Sequence, residues 1–118
     1  MSNSIMRDKA KDFAKTIVFL CREMKAKHIE SALISQLLRS ATSIGANIYE
    51  AQYAQGTKDF ISKLEIALKE ASETGYWLEL LYRTKYIDEQ TFKALSSKCT
   101  SLRVMLIASC KTAKENAK

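Results

Sequence analysis

The stretch LLRSATSIGANIYEA, residues 37 to 51, decides the fold of this chain. Its only charged side chains are Arg39 and Glu50, and most of the others are apolar or small. At helical spacing, one apolar face is formed by Leu37, Ala41, Ile44, Ile48 and Ala51. The remaining faces carry little bulk, because they hold Ser40, Ser43, Gly45 and Ala46. A helix that is small or apolar nearly all round packs on several sides at once, so the stretch predicts the central helix of a bundle.

Composition favours an all-helical, reduced, intracellular protein. The 118 residues include no proline and only three glycines, and this balance is typical of helix. The three cysteines, Cys21, Cys99 and Cys110, form no CxxC motif, and an odd number of them indicates reduced thiols. No apolar run approaches the roughly 20 residues that cross a bilayer, and charges between Arg7 and Asp12 interrupt any signal-like segment. The expected location is the cytoplasm, with no membrane contact.

Hydrophobic periodicity predicts one domain over residues 1–118, with helices over about 7–27, 31–55, 58–83 and 89–114. Ser31 is expected to cap the second helix and Asp88 the fourth. Gly56 suits the left-handed position that ends the second helix, and Thr57 is then the expected cap of the third. Four helices of similar length with short connections predict an all-α, up-down-up-down four-helix bundle.

The net charge of +6 is concentrated at the two ends of the chain. Residues 1–27 and residues 84–118 each carry +4, whereas residues 28–55 and residues 56–83 each carry −1. Because the first and fourth helices are neighbours in an up-down bundle, we expect their cations to form one basic wall that neutralises phosphates of RNA or DNA. The candidate nucleic-acid-binding residues are Lys11, Lys15, Arg22, Lys25, Lys93, Arg103, Lys111 and Lys114.

Two interpretations of these cations stay open. Without base-reading aromatics on that wall, binding would be independent of base sequence. Alternatively, the basic face only keeps the protein soluble, and the chain is a protein-interaction scaffold or accessory subunit that does not itself bind nucleic acid.

Several bulky side chains lie outside the predicted inner faces. A small bundle has limited interior, so these residues are expected to be covered by another subunit, and Trp and Tyr are frequent at interface hot spots. The candidate oligomer-interface residues are Tyr49, Tyr53, Ile66, Trp77 and Leu80. The alternative is that these side chains pack along the edges of a monomer. Val104 and Ile107 of the fourth helix also fall outside its inner face.

No constellation of residues predicts catalysis, a metal or a cofactor. The single histidine, His28, is near a helix junction without a second histidine nearby, which favours a surface or capping role. The carboxylates of the third helix lack the Glu-x-x-His motif of di-iron bundles. They alternate with Lys63 and Lys69, which predicts pairing along the helix surface. Asn47 is expected to be structural, because a partly buried amide needs hydrogen-bond partners. We therefore expect no enzyme, no catalytic residues and no metal site.

The stretch LLRSATSIGANIYEA resembles QLRRAAxSIPANIAEG, a signature of the small four-helix bundle proteins encoded in intervening sequences of bacterial 23S ribosomal RNA genes. The likeness continues through GTKDF, residues 56–60, and through IALKEASETGYWLELLYRTKYI, residues 66–87. The signature residues that match are Arg39, Ser43, Ile44, Asn47 and Glu50. Gly45 replaces the proline that is usual in the family, which leaves a backbone N–H in mid-helix and makes a kink there less favourable.

The resemblance implies a cytoplasmic homo-oligomer, with a pentameric ring favoured, and no defined activity. A related branch comprises the accessory variability determinants of diversity-generating retroelements, which are basic pentamers that bind nucleic acid and a reverse transcriptase. The partners implied in this way are further copies of the chain, RNA or DNA, and a protein such as a reverse transcriptase.

Overall fold

The computed structural model describes residues 2–117, and side chains from residue 4 onward. Within that range the chain forms the helices α1 (Ser2–Ala26), α2 (Ser31–Ala51), α3 (Thr57–Arg83) and α4 (Glu89–Asn116). Each helix packs on its two neighbours in a ring, so that α2 lies between α1 and α3, and α4 closes the ring between α3 and α1. The molecule is 49 Å long and 22 by 19 Å across. The predicted all-α fold, an up-down-up-down four-helix bundle, is confirmed.

The core follows the predicted helical faces closely. All five residues of the apolar face predicted for the opening stretch are buried, and α1 buries Ala10, Phe13, Ile17, Cys21 and Met24. Two buried polar residues, Ser40 and Thr74, were not predicted as part of this core. The Thr74 hydroxyl lies 3.0 Å from the Ser40 hydroxyl and 2.8 Å from the Glu70 carbonyl, so the pair is satisfied at the α2–α3 contact.

Small side chains let α1 come close to α2. A Cβ built on Gly45 would lie 3.6 Å from the Cβ of Ala10 and 3.7 Å from its carbonyl carbon. These are ordinary van der Waals distances, so alanine fits at Gly45 but a larger side chain would require α1 to move. The small side chains of the opening stretch therefore allow the close helix packing that the sequence predicts.

The connection between α2 and α3 differs from the prediction. α2 ends at Ala51. The amides of Gln52 and Tyr53 then each donate to the carbonyl three residues earlier, so a tighter turn continues through Tyr53. Gly56 does not end α2 in a left-handed turn. It is the N-cap of α3, with φ 158° and ψ 173°, and its carbonyl accepts from the Phe60 amide at 3.0 Å. Thr57 is consequently the first residue of α3 and not its cap.

The connections at the opposite end of the bundle use left-handed residues other than glycine. His28 and Lys85 have φ of 60° and 68°. After each one, an amide donates to a carbonyl five residues earlier, Ile29 to Met24 and Tyr86 to Leu81, which is the Schellman ending of a helix. The expected capping role of His28 is thus carried by its backbone.

The two predicted N-caps at this end have different outcomes. Asp88 caps α4 as predicted, because its carboxylate accepts from the Thr91 amide at 2.7 Å. Ser31 is not a cap, since Glu30 occupies the N-cap position of α2 and makes no side-chain capping bond. Instead, the Glu30 carboxylate accepts a hydrogen bond from the Tyr86 hydroxyl and links the two connections.

Charged side chains cross-link α2 and α3 along their outer seam. Arg39 of α2 donates to Glu70 at 3.1 Å and also pairs with Glu73. The Trp77 indole N–H donates to the same Glu73 carboxylate at 2.9 Å. Hydrogen bonds from Trp77 and Arg39 lower the pKa of Glu73. The α2–α3 contact is the most extensive in the bundle, whereas the α1–α4 contact is the least extensive.

We predict that Gly45→Ala raises the free energy of unfolding by about 1 kcal/mol, because alanine lowers the entropy of the unfolded chain and the new Cβ meets Ala10 without crowding. Gly75→Ala, also in a helix and with nothing within 4 Å of the new Cβ, is the matched control and should show the same gain. Chemical denaturation measures both. A destabilised Gly45→Ala beside a stabilised Gly75→Ala would contradict the spacing described here.

We also predict a pH-dependent effect of Glu73→Gln on stability. The pKa of Glu73 is lowered in the folded protein from 4.5, so its stabilising contribution is complete above that pH and is lost as the pH falls through the folded pKa. Wild type should be more stable than the variant at neutral pH, and the difference should shrink in acid. The control is Glu23→Gln, which removes an exposed carboxylate outside this network. A difference that grows with acid would contradict the prediction.

Candidate nucleic-acid and subunit interfaces

The predicted cations of α1 are exposed and, among the described residues, have no carboxylate partner. Lys11, Lys15, Arg22 and Lys25 follow helical steps along α1, and all four are exposed. Within residues 4–117 none of them forms an ion pair. The Arg22 guanidinium lies 5.5 Å from the centre of the Phe19 ring, a cation–π distance. These four residues, the α1 stripe, present positive charge to solvent without internal neutralisation.

The predicted cations of α4 are more constrained. Lys93 pairs with Glu89 at 3.0 Å, and Lys114 pairs with Glu65 of α3 at 2.6 Å. Hydrogen bonds to these carboxylates raise the pKa of both lysines. Arg103 is half-buried, and its Nε is buried without an acceptor in the described part of the chain. Only Lys111 resembles the α1 cations, since it is exposed and has no ion pair within residues 4–117.

The two sets of cations do not meet across the α1–α4 seam. That seam is lined by other residues, among them Asp8, Lys9, Asp12 and Lys98, and by none of the eight predicted cations. Lys11 lies three positions after Asp8 and Lys15 three positions after Asp12, so both flank the seam at roughly 60° around the helix without lining it. The basic wall expected from the segment charges is therefore divided by a groove that carries both signs of charge.

The predicted interface residues differ in how much they are exposed. Tyr49 is 53% exposed, Tyr53 is 69% exposed and Ile66 is 39% exposed. Trp77 and Leu80 are half-buried, and Trp77 also packs against the core of its own chain. The Tyr49 and Tyr53 ring centres lie 5.3 Å apart, so they form one aromatic patch near the C-terminal end of α2.

Two exposed aromatics were missed by the sequence reasoning. Tyr76 is 60% exposed and Phe19 is 53% exposed. Tyr76 lies four residues before Leu80 and thus shares its line on α3, a spacing that could have identified it. Phe19 lies off the face formed by Phe13, Ile17 and Leu20. Val104 and Ile107 are exposed, in agreement with their position outside the inner face.

Two of the five family-signature residues, Arg39 and Glu50, pair with α3. Arg39 pairs with α3 as described above, and Glu50 accepts from Lys63 of α3 at 2.9 Å. Asn47 is half-buried and donates to the Ser43 carbonyl at 2.8 Å, which gives its amide a partner. Ile44 is fully buried.

The pairing predicted along the surface of α3 is seen only in part: among the described residues Glu79 pairs with Arg83 at 3.0 Å, whereas Lys63 pairs with Glu50 of α2. Glu70 and Glu73 pair with Arg39 of α2, and Glu65 pairs with Lys114 of α4. Helical neighbours on one helix are always available as partners, but these carboxylates face the seams, where a cation from another helix is closer. The charges of α3 consequently fasten it to both neighbours.

Among residues 2–117, no group of three or more His, Cys, Asp or Glu side chains is arranged to hold a metal ion. Burial raises the pKa of the Cys21 and Cys99 thiols to about 11. Over the same range, no helix combines the length and apolarity that crossing a membrane requires.

The chain is similar to a protein family over most of its length and to proteins of solved structure. Residues 2–108 match the family model for 23S rRNA-intervening sequence proteins. A crystal structure from Bacteroides thetaiotaomicron VPI-5482, of a protein with unknown function from the S23 ribosomal protein family, is 46% identical, with a TM-score of 0.91. The alignment covers 94% of this chain and 99% of that chain. No curated protein matches the chain significantly.

Neither match is to a retroelement accessory protein, and that narrower resemblance stays a prediction. The wider resemblance, from the opening stretch through Ile87, is confirmed by the family match. The chain therefore belongs to the family of 23S rRNA-intervening sequence proteins.

Proposed function

We propose that this chain is a non-enzymatic subunit of a cytoplasmic homo-oligomer, with a pentamer favoured, that binds RNA or DNA without sequence preference. The observation that carries the proposal is the α1 stripe, whose lysines are exposed and have no ion pair within residues 4–117. An unpaired ammonium contacts a phosphate without first giving up a carboxylate, so its full charge is available to displace counterions.

The α4 cations have a smaller role in this proposal. Lys93 and Lys114 already pair with Glu89 and Glu65, so each brings a carboxylate close to the polyanion and part of its charge is offset. Lys111 adds to binding because it is exposed and forms no ion pair within residues 4–117. The refined candidate surface is thus α1 with a contribution from Lys111, instead of a continuous wall over both helices.

Oligomerisation strengthens the binding of nucleic acid by such a small charged surface. A few phosphate contacts per chain give weak binding, but a ring repeats them and turns successive contacts into intramolecular events. The adjacent aromatic pairs Tyr49–Tyr53 and Tyr76–Trp77, with ring centres 5.3 and 4.9 Å apart, support self-association, because an exposed apolar patch is often covered by a partner.

A protein partner is the second candidate function, and the exposed Tyr53 and Tyr76 favour it. In that case the aromatic side chains bind a protein such as a reverse transcriptase, and the α1 stripe only aids solubility. A stable protein complex recovered from nuclease-treated lysate, and unchanged when α1 cations are replaced, would favour this alternative over nucleic-acid binding.

We predict that Lys11→Gln, Lys15→Gln and Lys25→Gln together flatten the salt dependence of binding to a duplex DNA fragment. Each phosphate contact contributes about 0.9 to the slope of log K against log salt, so the triple variant should lose about 2 to 3 from that slope. Filter binding over a range of salt concentrations measures the slope.

The matched control removes the same amount of charge from ion-paired positions. Lys93→Gln, Lys98→Gln and Lys114→Gln replace lysines that pair with Glu89, Asp12 and Glu65. This variant should change the slope by less than the α1 variant. If both variants lose the same amount of slope, net charge matters and the α1 stripe does not. If the wild type does not bind, or binds independently of salt, nucleic-acid binding is refuted altogether.

We further predict that the full chain sediments at five times the chain mass at micromolar concentration. Because the association buries apolar side chains, raising the salt concentration should not dissociate the assembly, in contrast to nucleic-acid binding. Sedimentation equilibrium at low and high salt provides the measurement. A monomer under both conditions would contradict the proposed oligomer without bearing on the α1 stripe.

A further inference from the structure

We propose that the outer face between α1 and α2 binds single-stranded RNA or DNA, with phosphates along the cations of α1 and bases stacked on Tyr49 and Tyr53 of α2. The inference rests on the nucleic-acid binding of the proposed function and adds which form of nucleic acid the surface prefers. Two features that the fold brings together support it. One is a row of cations on α1, and the other is a pair of exposed aromatic rings at the end of that row.

The cations of α1 lie on the side of that helix that borders α2. Ala10 marks the contact with α2, because it is the residue that Gly45 approaches. At about 100° per residue, the α1 stripe lies between roughly 60° and 140° around the helix from Ala10. Arg7 lies on the same side, roughly 60° from Ala10, and extends the row by one turn. The row spans roughly 27 Å from Arg7 to Lys25, at about 1.5 Å per residue.

Within the described parts of α1 and α2, no carboxylate lies among these cations. The acidic side chains of α1 in residues 4–26 line the groove toward α4 instead, and they are Asp8, Asp12 and Glu23. The one carboxylate that α2 carries is Glu50, roughly 140° around the helix from Gly45. Glu50 accepts a hydrogen bond from Lys63 of α3 at 2.9 Å. The face is therefore basic by its own residues, which are the α1 stripe and Arg7.

Tyr49 and Tyr53 follow the line of α2 that borders α1. They come four and eight residues after Gly45, which places them roughly 40° and 80° around the helix from the contact with α1. Their ring centres are 5.3 Å apart, and the ring planes are tilted by 53°. Because both side chains are more than half exposed, the rings are available to stack on bases.

Arg7 joins the cations to the tyrosines. Hydrogen bonding with Tyr49 raises the pKa of Tyr53, and the positive charge of Arg7 opposes that rise, so Arg7 lies near the Tyr53 hydroxyl. The Arg7 guanidinium donates to the Ser4 hydroxyl at 3.2 Å and lies 3.8 Å from the Asp8 carboxylate. A strand that stacks on the rings therefore meets Arg7 first and the α1 stripe one turn later.

The charges immediately around the rings balance. Glu50, Asp59 and Lys63 line the same surface depression as the two tyrosines. Lys63 pairs with Glu50, and the Asp59 carboxylate accepts from the Gln55 backbone amide at 3.2 Å. Arg7 supplies the second positive charge, which offsets Asp59. The rings consequently contribute base stacking, while the phosphates are neutralised along α1.

A single strand fits this combination better than a duplex does. In a duplex the bases are stacked on one another, so a protein contacts phosphates and base edges. A single strand also exposes the faces of its bases, and proteins that bind it combine a basic track with aromatic side chains. Stacking does not read base edges, so a preference for single strands agrees with binding that is independent of base sequence.

Replacing both rings tests the proposal. Wild type should bind oligo(dT) more tightly than the duplex of oligo(dT) with oligo(dA) at the same salt concentration. Tyr49→Leu with Tyr53→Leu should weaken oligo(dT) binding by roughly 10- to 100-fold, as the loss of base stacking predicts, and leave duplex binding unchanged. The slope of log K against log salt should stay the same, because no phosphate contact is removed. Fluorescence anisotropy of labelled strands measures both quantities.

Two control variants isolate the role of the rings. Tyr49→Phe with Tyr53→Phe retains both rings and should bind oligo(dT) like wild type. Tyr76→Leu removes a ring that is 60% exposed on α3, which packs on α2 and α4, and it should also leave oligo(dT) binding unchanged. Circular dichroism verifies that each variant is folded. Oligo(U) and its duplex with oligo(A) repeat the comparison for RNA, and a single-strand preference in either nucleic acid supports the proposal.

The contrary outcomes separate this inference from the proposed function. Wild type that binds both duplexes as tightly as the single strands would overturn the single-strand assignment and leave the α1 stripe in place. Unchanged binding of oligo(dT) and oligo(U) by the double leucine variant would do the same. If that variant loses the oligomeric mass of wild type in sedimentation velocity, the tyrosines belong to a subunit contact and the inference is overturned. Wild type without salt-dependent binding to any of these probes would overturn the proposed function as well.

Discussion

The close approach of α2 to both of its neighbours is the constraint on which the rest of the bundle depends. On one side, Gly45 brings α2 within van der Waals reach of Ala10 on α1. On the other side, Ser40 meets Thr74 in the core, while Arg39 reaches the carboxylates of α3 at the surface. The most extensive helix contact, α2–α3, lies on the opposite side of the bundle from the least extensive one, α1–α4. The α2–α3 network and the α1–α4 groove are therefore the two extremes of one packing pattern.

The core of the bundle could be predicted because it obeys a simple period. Apolar residues three and four positions apart identify the buried face, and the structure buries every member of the opening stretch that this rule selects. Asp88 was predictable for a similar reason, since an aspartate before a helix has one favoured use. These predictions need only local geometry, which is the same wherever the helix lies in the fold.

Other features depend on the tertiary arrangement and were not predictable. His28 and Lys85 adopt left-handed conformations that residues other than glycine rarely take, so composition provided no signal. Gly56 was assigned to the end of α2, but the chain leaves that helix at Ala51 and uses the glycine as the N-cap of α3. The partners of Glu70 and Glu73 come from another helix, and a period along one helix contains no information about that neighbour.

The basic surface on which the functional prediction rests could likewise be predicted only in part. Segment totals correctly identify which helices are basic, but they do not give the direction in which each side chain points. In the folded chain, Lys98 and Asp12 pair within the seam, while Lys11 and Lys15 do not line it. In the proposed function, this separation leaves the α1 stripe available to phosphates.

The most direct test of this account is a comparison of lysine acetylation with and without bound RNA, read residue by residue by mass spectrometry. We predict that RNA protects Lys11, Lys15 and Lys25, and that Lys93 and Lys114 keep the reactivity that they show in the free protein. Protection confined to Lys93 and Lys114, or no protection of any lysine at saturating RNA, would contradict the assignment of nucleic-acid binding to α1.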